Sequence, residues 1–242
     1  MTKVRPVTVL SGFLEGGKTT SSRVRGVALT EKKIRSSFGR ESLVLPDIYL
    51  EEVNLAVWQR TFSNELNKAV VKVSDMNPDL EISLITSPDS VYSSAMEALG
   101  YIPEATLLCE DVANLVNMFC CLFELKRAGL RLAVLDCAMC PRFHVDKVPC
   151  RLLTTYRGIG TDWLPHLVAD RSKLGFENHG KSDNDSGLFK SVANIEQLTV
   201  GDVALLKGEA WRGNQGAVLI HRSPQLAIQE RRLLLTLDFL DS

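Results

Sequence analysis

The sequence predicts an α+β fold in which a helical N-terminal half packs on a β-sheet sandwich or barrel. Three observations predict this class. Apolar residues recur at helical spacing in the segments 63–73, 90–100 and 110–129. After Gly129 the apolar period shortens towards two, which is typical of strands. With 45% hydrophobic residues, the 242-residue chain can also bury a substantial core.

In the front half, predicted strands alternate with predicted helices. The segments 53–60 and 79–86 are rich in β-branched or alternating apolar residues and are predicted as strands. Two helical segments follow them, and Gly100 and Pro103 end the first of these. The segment 110–129 is the clearest helix, and Gly129 is expected to end it.

The second half contains short strands separated by polar or glycine-containing turns. The long polar segment 172–187 is predicted as a loop. The predicted strands lie in the stretches LRLAVLDC, CRLLTTYRG, GDVALLKGE, GAVLIH and RRLLLTLDF.

Charge and composition exclude several classes of protein. The formal net charge is −1, so no overall positive field favours nucleic acid or an anionic membrane as a partner. No apolar run reaches the roughly 18 residues of a membrane-spanning helix. The N-terminus lacks the small-residue cleavage site of a signal peptide, so we expect a cytoplasmic protein. Its six cysteines are then thiols or ligands.

Residues 1–40 are predicted as a separate N-terminal segment that ends in a polar linker over 35–42, and 41–242 as one α+β metal-binding domain. The segment contains Gly12, Gly17, Lys18 and Thr19 at the spacing of a phosphate-binding loop. Backbone N–H groups at such glycines surround phosphate oxygens, while the lysine and threonine serve phosphate and Mg²⁺.

The stretch PVTVLSGFLEGGKTT resembles the opening of the CobW-like metallochaperone GTPases. The second metal-binding Asp, the guanine-reading motif and the cysteine motif of those enzymes are absent, and about forty residues are too few for two βαβ units. The segment is therefore interpreted as a remnant that no longer hydrolyses nucleotide, and nucleotide binding remains an alternative.

His144 and Asp146 are two residues apart, which places both side chains on one face of an extended segment. A further His would complete a two-His-one-carboxylate triad, which leaves coordination positions open on Fe(II). Among the remaining histidines, His166 and His179 lie in less regular sequence. His221 ends an apolar strand, where a barrel would return a third ligand, and it is the predicted partner.

Arg231 and Arg232 open the strand after His221. This arrangement resembles the C-terminal signature of the Fe(II)/2-oxoglutarate dioxygenases, in which a basic residue about one strand after the distal His binds the far carboxylate of the cosubstrate. The resemblance implies a double-stranded β-helix core of the cupin or jelly-roll type. It also implies that Arg232, or alternatively Arg231, anchors 2-oxoglutarate, since the planar guanidinium matches a carboxylate in two places.

From about residue 45 onward, the chain resembles an uncharacterised bacterial domain family. The stretches that carry the resemblance are CPRFHVDKVPCRLLTTYRGIGTDWL, GDVALLKGEAW, HRSP and RRLLLTLDF. It implies that Tyr156, with Thr154 and Trp163, lines the pocket. Members of the family resemble neighbours or fusion partners of CobW-like zinc-responsive GTPases, so a GTPase of that kind is a possible partner and zinc limitation a possible context.

Two metal-based functions therefore remain open beside the alternative of nucleotide binding. The first is an Fe(II)/2-oxoglutarate-type oxygenase acting on an unknown small-molecule or protein substrate. The second is a non-catalytic zinc-binding protein in zinc homeostasis, with Cys137, Cys140 and Cys150 as alternative ligands, because thiolate and imidazole suit Zn²⁺.

Overall fold

The computed structural model describes residues 33–175 and 180–240. Within these residues the strands form a large sheet of seven, in the order β1-β2-β8-β5-β10-β4-β3, and a small sheet of three, in the order β7-β6-β9. Neighbouring strands are antiparallel except for β1 and β2. The strands are β1 (Arg35–Gly39), β2 (Val53–Trp58), β3 (Glu81–Thr86), β4 (Ala128–Leu135), β5 (Cys150–Arg157), β6 (Asp162–Leu164), β7 (Glu196–Gln197), β8 (Val203–Lys207), β9 (Ile220–Arg222) and β10 (Arg232–Asp238).

Three α-helices pack against one face of the large sheet. They are α1 (Asn64–Met76), α2 (Val91–Ala98) and α3 (Thr106–Leu122). The hydroxyl of Ser63 caps α1 by accepting a hydrogen bond from the Leu66 N–H at 3.1 Å. The strands turn alternate residues towards the helices, so Leu233, Leu235 and Leu237 of β10 join the main core.

The small sheet covers part of the opposite face. Leu153 of β5 packs there with Trp163 of β6 and with Leu219, which directly precedes β9. The architecture is thus three layers, with helices, the large sheet and the small sheet in that order. The space between the two sheets is where side chains from β5, β9 and β10 converge.

The structure corrects three details of the predicted fold. Residues 35–39 form strand β1 rather than a linker, paired in parallel with β2. Helix α3 ends at Leu122, before Gly129, and Glu124 follows it with a positive φ of 53°. The N-terminal half, predicted as a helical layer packed on the sheet, itself contributes β1, β2 and β3 to the large sheet, and β2 and β3 lie within the predicted strands 53–60 and 79–86.

The stretch Pro103–Leu122, which contains α3, is long and apolar enough to cross a membrane by composition alone. In the described residues it is instead a core helix. Leu108, Val112, Leu115 and Phe119 are each at most 1% exposed in the core beneath the large sheet. Its apolar character is therefore accounted for by packing within the domain.

Candidate metal centre

His144 and His221 are joined through their backbones. The N–H of each donates to the carbonyl of the other at 3.0 Å, which makes an isolated antiparallel bridge between the loop before β5 and strand β9. This pairing places the two imidazole rings side by side, with centroids 4.6 Å apart. Asp146 follows two residues after His144 and reaches the same point.

The three side chains form the group that their spacing predicts. Asp146 Oδ1 lies 3.8 Å from His144 Nε2, and Asp146 Oδ2 lies 3.5 Å from His221 Nε2. One ligand atom from each residue lies within 4.8 Å of the others, and no other group of this kind occurs among the described residues. Modest side-chain shifts would place each of these atoms at roughly 2 Å from a metal ion at the centre of the group, the length typical of imidazole–metal bonds.

The hydrogen bonds of both rings direct one nitrogen towards the centre. His144 Nδ1 lies 2.9 Å from the Arg142 carbonyl, and His221 Nδ1 lies 3.5 Å from the Leu219 carbonyl. A carbonyl accepts only, so Nδ1 is the donor in both contacts, and Nε2 is the ring nitrogen that faces the centre of the group. Burial lowers the pKa of His221 to about 4, so its imidazole is neutral and suited to coordination at neutral pH.

Arg232 lines the same pocket, which has a volume of about 60 Å³. Its side chain is 1% exposed and donates to the hydroxyls of Ser223, Thr155 and Thr161 at 3.2, 3.0 and 2.6 Å. Its Nε has no hydrogen-bond partner, and no salt bridge to it occurs in the described part of the chain. Burial lowers the pKa of this guanidinium to about 10. The nearby charge of Asp162 opposes this shift without forming an ion pair with Arg232, so the guanidinium retains the capacity to bind an anion.

Strand register distinguishes the two arginines that the sequence left open. Arg232, Leu234 and Thr236 turn towards the pocket, whereas Leu233 and Leu235 turn towards the helices. Arg231 precedes the strand and is exposed. Of the two arginines, Arg232 is therefore the one whose side chain lines the pocket.

The structure does not bring Tyr156 to this pocket. Tyr156 lies on the helix-facing side of β5, where its hydroxyl donates to Asp111 Oδ2 at 2.6 Å and its ring stacks on Phe62. The interpretation of Tyr156 as pocket lining is wrong because the side chains of β5 alternate: the pocket side carries Arg151, Leu153 and Thr155 instead. Thr154 faces away for the same reason, and Trp163 is buried between the sheets.

Replacing Tyr156 with phenylalanine is expected to lower the free energy of unfolding by about 1–2 kcal/mol, because Asp111 loses one buried hydrogen bond. Asp111 keeps its two contacts with Arg60, at 2.6 and 2.8 Å. Urea denaturation measures the loss. A variant as stable as the wild type would contradict this role of the Tyr156 hydroxyl.

The cysteines do not form a second metal site within the described residues. Cys150 is fully buried on the helix-facing side of β5, and burial raises the pKa of its thiol. Cys137 and Cys140 are exposed, and only Cys140 lines the pocket. The three cysteines predicted as alternative ligands therefore do not come together, because Cys150 is buried in the main core whereas Cys137 and Cys140 are exposed in the segment before β5.

Sequence reasoning missed several residues around the pocket. Arg151 donates to Asp146 Oδ2 at 2.9 Å, and Ser223 and Thr161 contact Arg232. Arg222 bonds Asp162 at 3.0 Å beside the pocket. Alternation along CRLLTTYRG could have placed Arg151 with Thr155, but only a known register tells which alternate face meets the metal ligands.

Gly208 holds the Asp146 loop close to strand β8. A Cβ at this position would lie 1.9 Å from the Val148 carbonyl oxygen and 3.1 Å from that of Asp146. Gly208→Ala is expected to displace the loop, lowering the free energy of unfolding by about 1–3 kcal/mol and weakening Co(II) binding. Denaturation and Co(II) titration measure both. Gly129→Ala is the control, because a Cβ there meets its nearest atom at 3.6 Å, and equal behaviour of the two variants would contradict this role.

The nucleotide-binding prediction for Gly12, Gly17, Lys18 and Thr19 falls outside the described residues, as does His179. His166 lies in a short 3-10 helix, where its Nδ1 is 3.2 Å from an Arg171 nitrogen, and it does not join the triad.

Fold and site together define a β-sheet domain with a two-His-one-carboxylate centre. The chain belongs to the family described as Protein of unknown function (DUF1826), whose model matches residues 39–238. This confirms the expected membership of an uncharacterised family. A comparison with curated proteins finds no significant match.

Solved structures share the fold at low sequence identity. The rice dioxygenase for auxin oxidation aligns with a TM-score of 0.51 and 12% identity, over 86% of this chain and 83% of that one. The Arabidopsis thaliana enzyme DAO1, solved as a 2-oxoglutarate complex, aligns with a TM-score of 0.47 and 12% identity, over 86% and 93%. The alignment with the rice enzyme shows that the fold is similar to that of this dioxygenase.

Proposed function

We propose that this protein is an Fe(II)- and 2-oxoglutarate-dependent oxygenase. The observation that carries the proposal is the convergence of His144, Asp146 and His221 beside the buried Arg232, which lines one small pocket with both histidines and forms no ion pair among the described residues. The likeness to the rice dioxygenase supports the fold that this chemistry requires.

The donor set fits Fe(II). Two neutral imidazoles and one carboxylate are the ligands of the facial triad, which leaves positions open for further ligands. The Nδ1 hydrogen bonds of His144 and His221 fix the tautomer that offers Nε2. Bound iron and 2-oxoglutarate would supply the oxygen-activating chemistry, while the chain binds and orients the reacting groups.

Arg232 would hold the far carboxylate of 2-oxoglutarate. Its guanidinium is anchored by Thr155, Thr161 and Ser223, so the side chain is already ordered before the anion arrives. Leu153 and Leu234 line the same pocket and give it apolar walls, which would limit the access of water.

A second groove, of about 350 Å³, adjoins the metal pocket. Met139, Arg151 and Thr236 line both spaces, and the groove continues over β10, β4 and β3. It is large enough for a small-molecule substrate or a side chain of a larger one. We assign it as the place where the substrate approaches the metal.

The test is turnover of 2-oxoglutarate to succinate with Fe(II) and ascorbate. We expect the purified protein to form succinate slowly without a substrate, and anaerobic titration to show metal-dependent binding of 2-oxoglutarate. Absence of both succinate formation and 2-oxoglutarate binding, in a protein that retains Co(II) binding, would refute the oxygenase proposal.

A non-catalytic zinc protein is the second candidate, and the observation that favours it is Cys140 at the rim of the metal pocket. Metal analysis of protein purified without added metal separates the two. Zinc that is lost in Cys140→Ser but kept in Asp146→Ala would support the zinc protein, whereas the reverse pattern would support the oxygenase.

A further inference from the structure

We propose that Arg151 is the positioning residue of the metal centre: with Asp238 as its anchor, it holds one oxygen of Asp146 so that the carboxylate presents the other to the metal. This inference rests on the proposed function of the triad, and it adds a residue that neither the sequence motifs nor the similarity to known folds indicates.

Arg151 uses all of its guanidinium nitrogens in two ion pairs. Its Nη1 donates to Asp146 Oδ2 at 2.9 Å, while Nε and Nη2 donate to the two oxygens of Asp238 at 2.8 and 3.0 Å. The bidentate pairing with Asp238 fixes the plane of the guanidinium. Because the guanidinium is planar, the direction of the third donor, Nη1, is then fixed as well. The geometry matches a rigid support better than a mobile surface charge.

The sheet explains why the support is rigid. Arg151 of β5 is directly paired with Asp238 of β10 in the antiparallel register, so both side chains project from the same face. The Arg151 and Asp238 side chains are 26% and 27% exposed, and the Asp146 side chain is 11% exposed. The Arg151–Asp238 ion pair is thus held by two central strands of the large sheet, and its free donor contacts the metal ligand Asp146.

Asp146 needs such a support because it lies in a loop rather than a strand. Its backbone carbonyl accepts from the Glu209 N–H at 2.8 Å, which fixes the main chain but leaves the carboxylate free to rotate. An unrestrained carboxylate can bind a metal through both oxygens and fill a position that cosubstrate or oxygen requires. Occupying Oδ2 with the Arg151 cation favours binding through a single oxygen.

A positioning role and a simple charge effect predict opposite signs. Arg151 is a cation next to a cation site, so by Coulomb repulsion alone its removal would strengthen metal binding. If it positions Asp146, its removal weakens binding, as does the loss of other outer-shell partners of metal ligands. The direction of the change therefore distinguishes the two roles.

The experiment measures Co(II) dissociation constants and the visible d–d spectrum of the Co(II)-loaded protein for Arg151→Gln, Asp238→Asn and the double variant. We expect Arg151→Gln to weaken binding by about 10–100-fold and to change the spectrum. Asp238→Asn should act in the same direction and less strongly. The double variant should be no worse than Arg151→Gln, because both residues act through one contact.

Arg157→Gln is the matched control. Arg157 lies on the same strand and forms an exposed ion pair with Asp75 at 2.6 Å, and neither residue lines the metal pocket. It should leave both the dissociation constant and the spectrum unchanged, and circular dichroism establishes that each variant is folded. If Arg151→Gln fails to fold, Asp238→Asn with its spectrum decides the question.

Unchanged or tighter Co(II) binding with an unchanged spectrum in the folded variants would overturn the role of Arg151 while leaving the proposed function intact. Absence of Co(II) binding to the wild type, or wild-type binding that survives His221→Ala, would overturn the metal centre and with it the proposed function.

Discussion

Replacing His221 with alanine is expected to weaken Fe(II) or Co(II) binding by more than about 100-fold, beyond the 10–100-fold typical of losing an outer-shell partner. His221 supplies one of only three protein ligands, and it is the most deeply buried, with 7% of its side chain exposed. Water would have to replace it in a pocket of about 60 Å³. Calorimetric titration with Co(II) measures the loss, and succinate formation should fall to background.

His166→Ala is the control for this prediction, because His166 is a described histidine outside the triad and contacts Arg171. His144→Ala provides an independent variant whose side chain is 34% exposed, so its removal leaves a smaller cavity in the core. Retention of Co(II) affinity within a few-fold in both triad variants would show that Co(II) binds elsewhere.

The positions of the long elements could be predicted from the sequence because their signals are local. The apolar spacing of Val112, Leu115, Val116 and Phe119 specifies a buried helix wherever it packs. The end of that helix was not predictable in the same way. The segment between Leu122 and Gly129 contains no residue that must break a helix, and the chain turns at Glu124 to begin strand β4.

Strand β1, in contrast, could not be predicted because it carries no local signal. Its sequence, RSSFG, is short and polar and resembles a linker, and its identity as a strand comes from parallel pairing with β2. Such pairing depends on the neighbour rather than on intrinsic preference. The same dependence explains the error at Tyr156. Alternation along β5 was visible, but the face that meets His221 is set by pairing with β10 and β8.

The three candidate metal ligands could be predicted from the sequence, whereas the residues that hold Asp146 in place could not. His144 and Asp146 share a face by local spacing, and His221 was selected because it ends a strand that could return to them. Their meeting depends on the backbone bridge between His144 and His221, a long-range contact. Arg151 carried no local signal, because its partners Asp146 and Asp238 come together only in the folded sheet.

Arg232→Gln is expected to weaken 2-oxoglutarate binding by at least about 30-fold, equivalent to the roughly 2–5 kcal/mol lost when a buried charge pair is truncated. The reason is that Arg232 is the pocket cation without a carboxylate of its own among the described residues, whereas Arg151 and Arg222 already pair with aspartates. Removing it also removes a buried charge without a direct ion-pair partner, so the free energy of unfolding should fall less than it does when a buried ion pair is broken.

The cosubstrate analogue 2-oxopentanoate, which lacks the far carboxylate, makes this prediction specific. The wild type should bind 2-oxoglutarate much more tightly than 2-oxopentanoate, and Arg232→Gln should bind the two with similar, weak affinity, because the distinguishing anion has lost its partner. Arg231→Gln is the matched control, since its exposed side chain precedes the strand, and it should discriminate like the wild type. If Arg231→Gln loses the discrimination and Arg232→Gln keeps it, the assignment of the anchor is reversed; if both keep it, the buried guanidinium serves the fold and another group binds the anion.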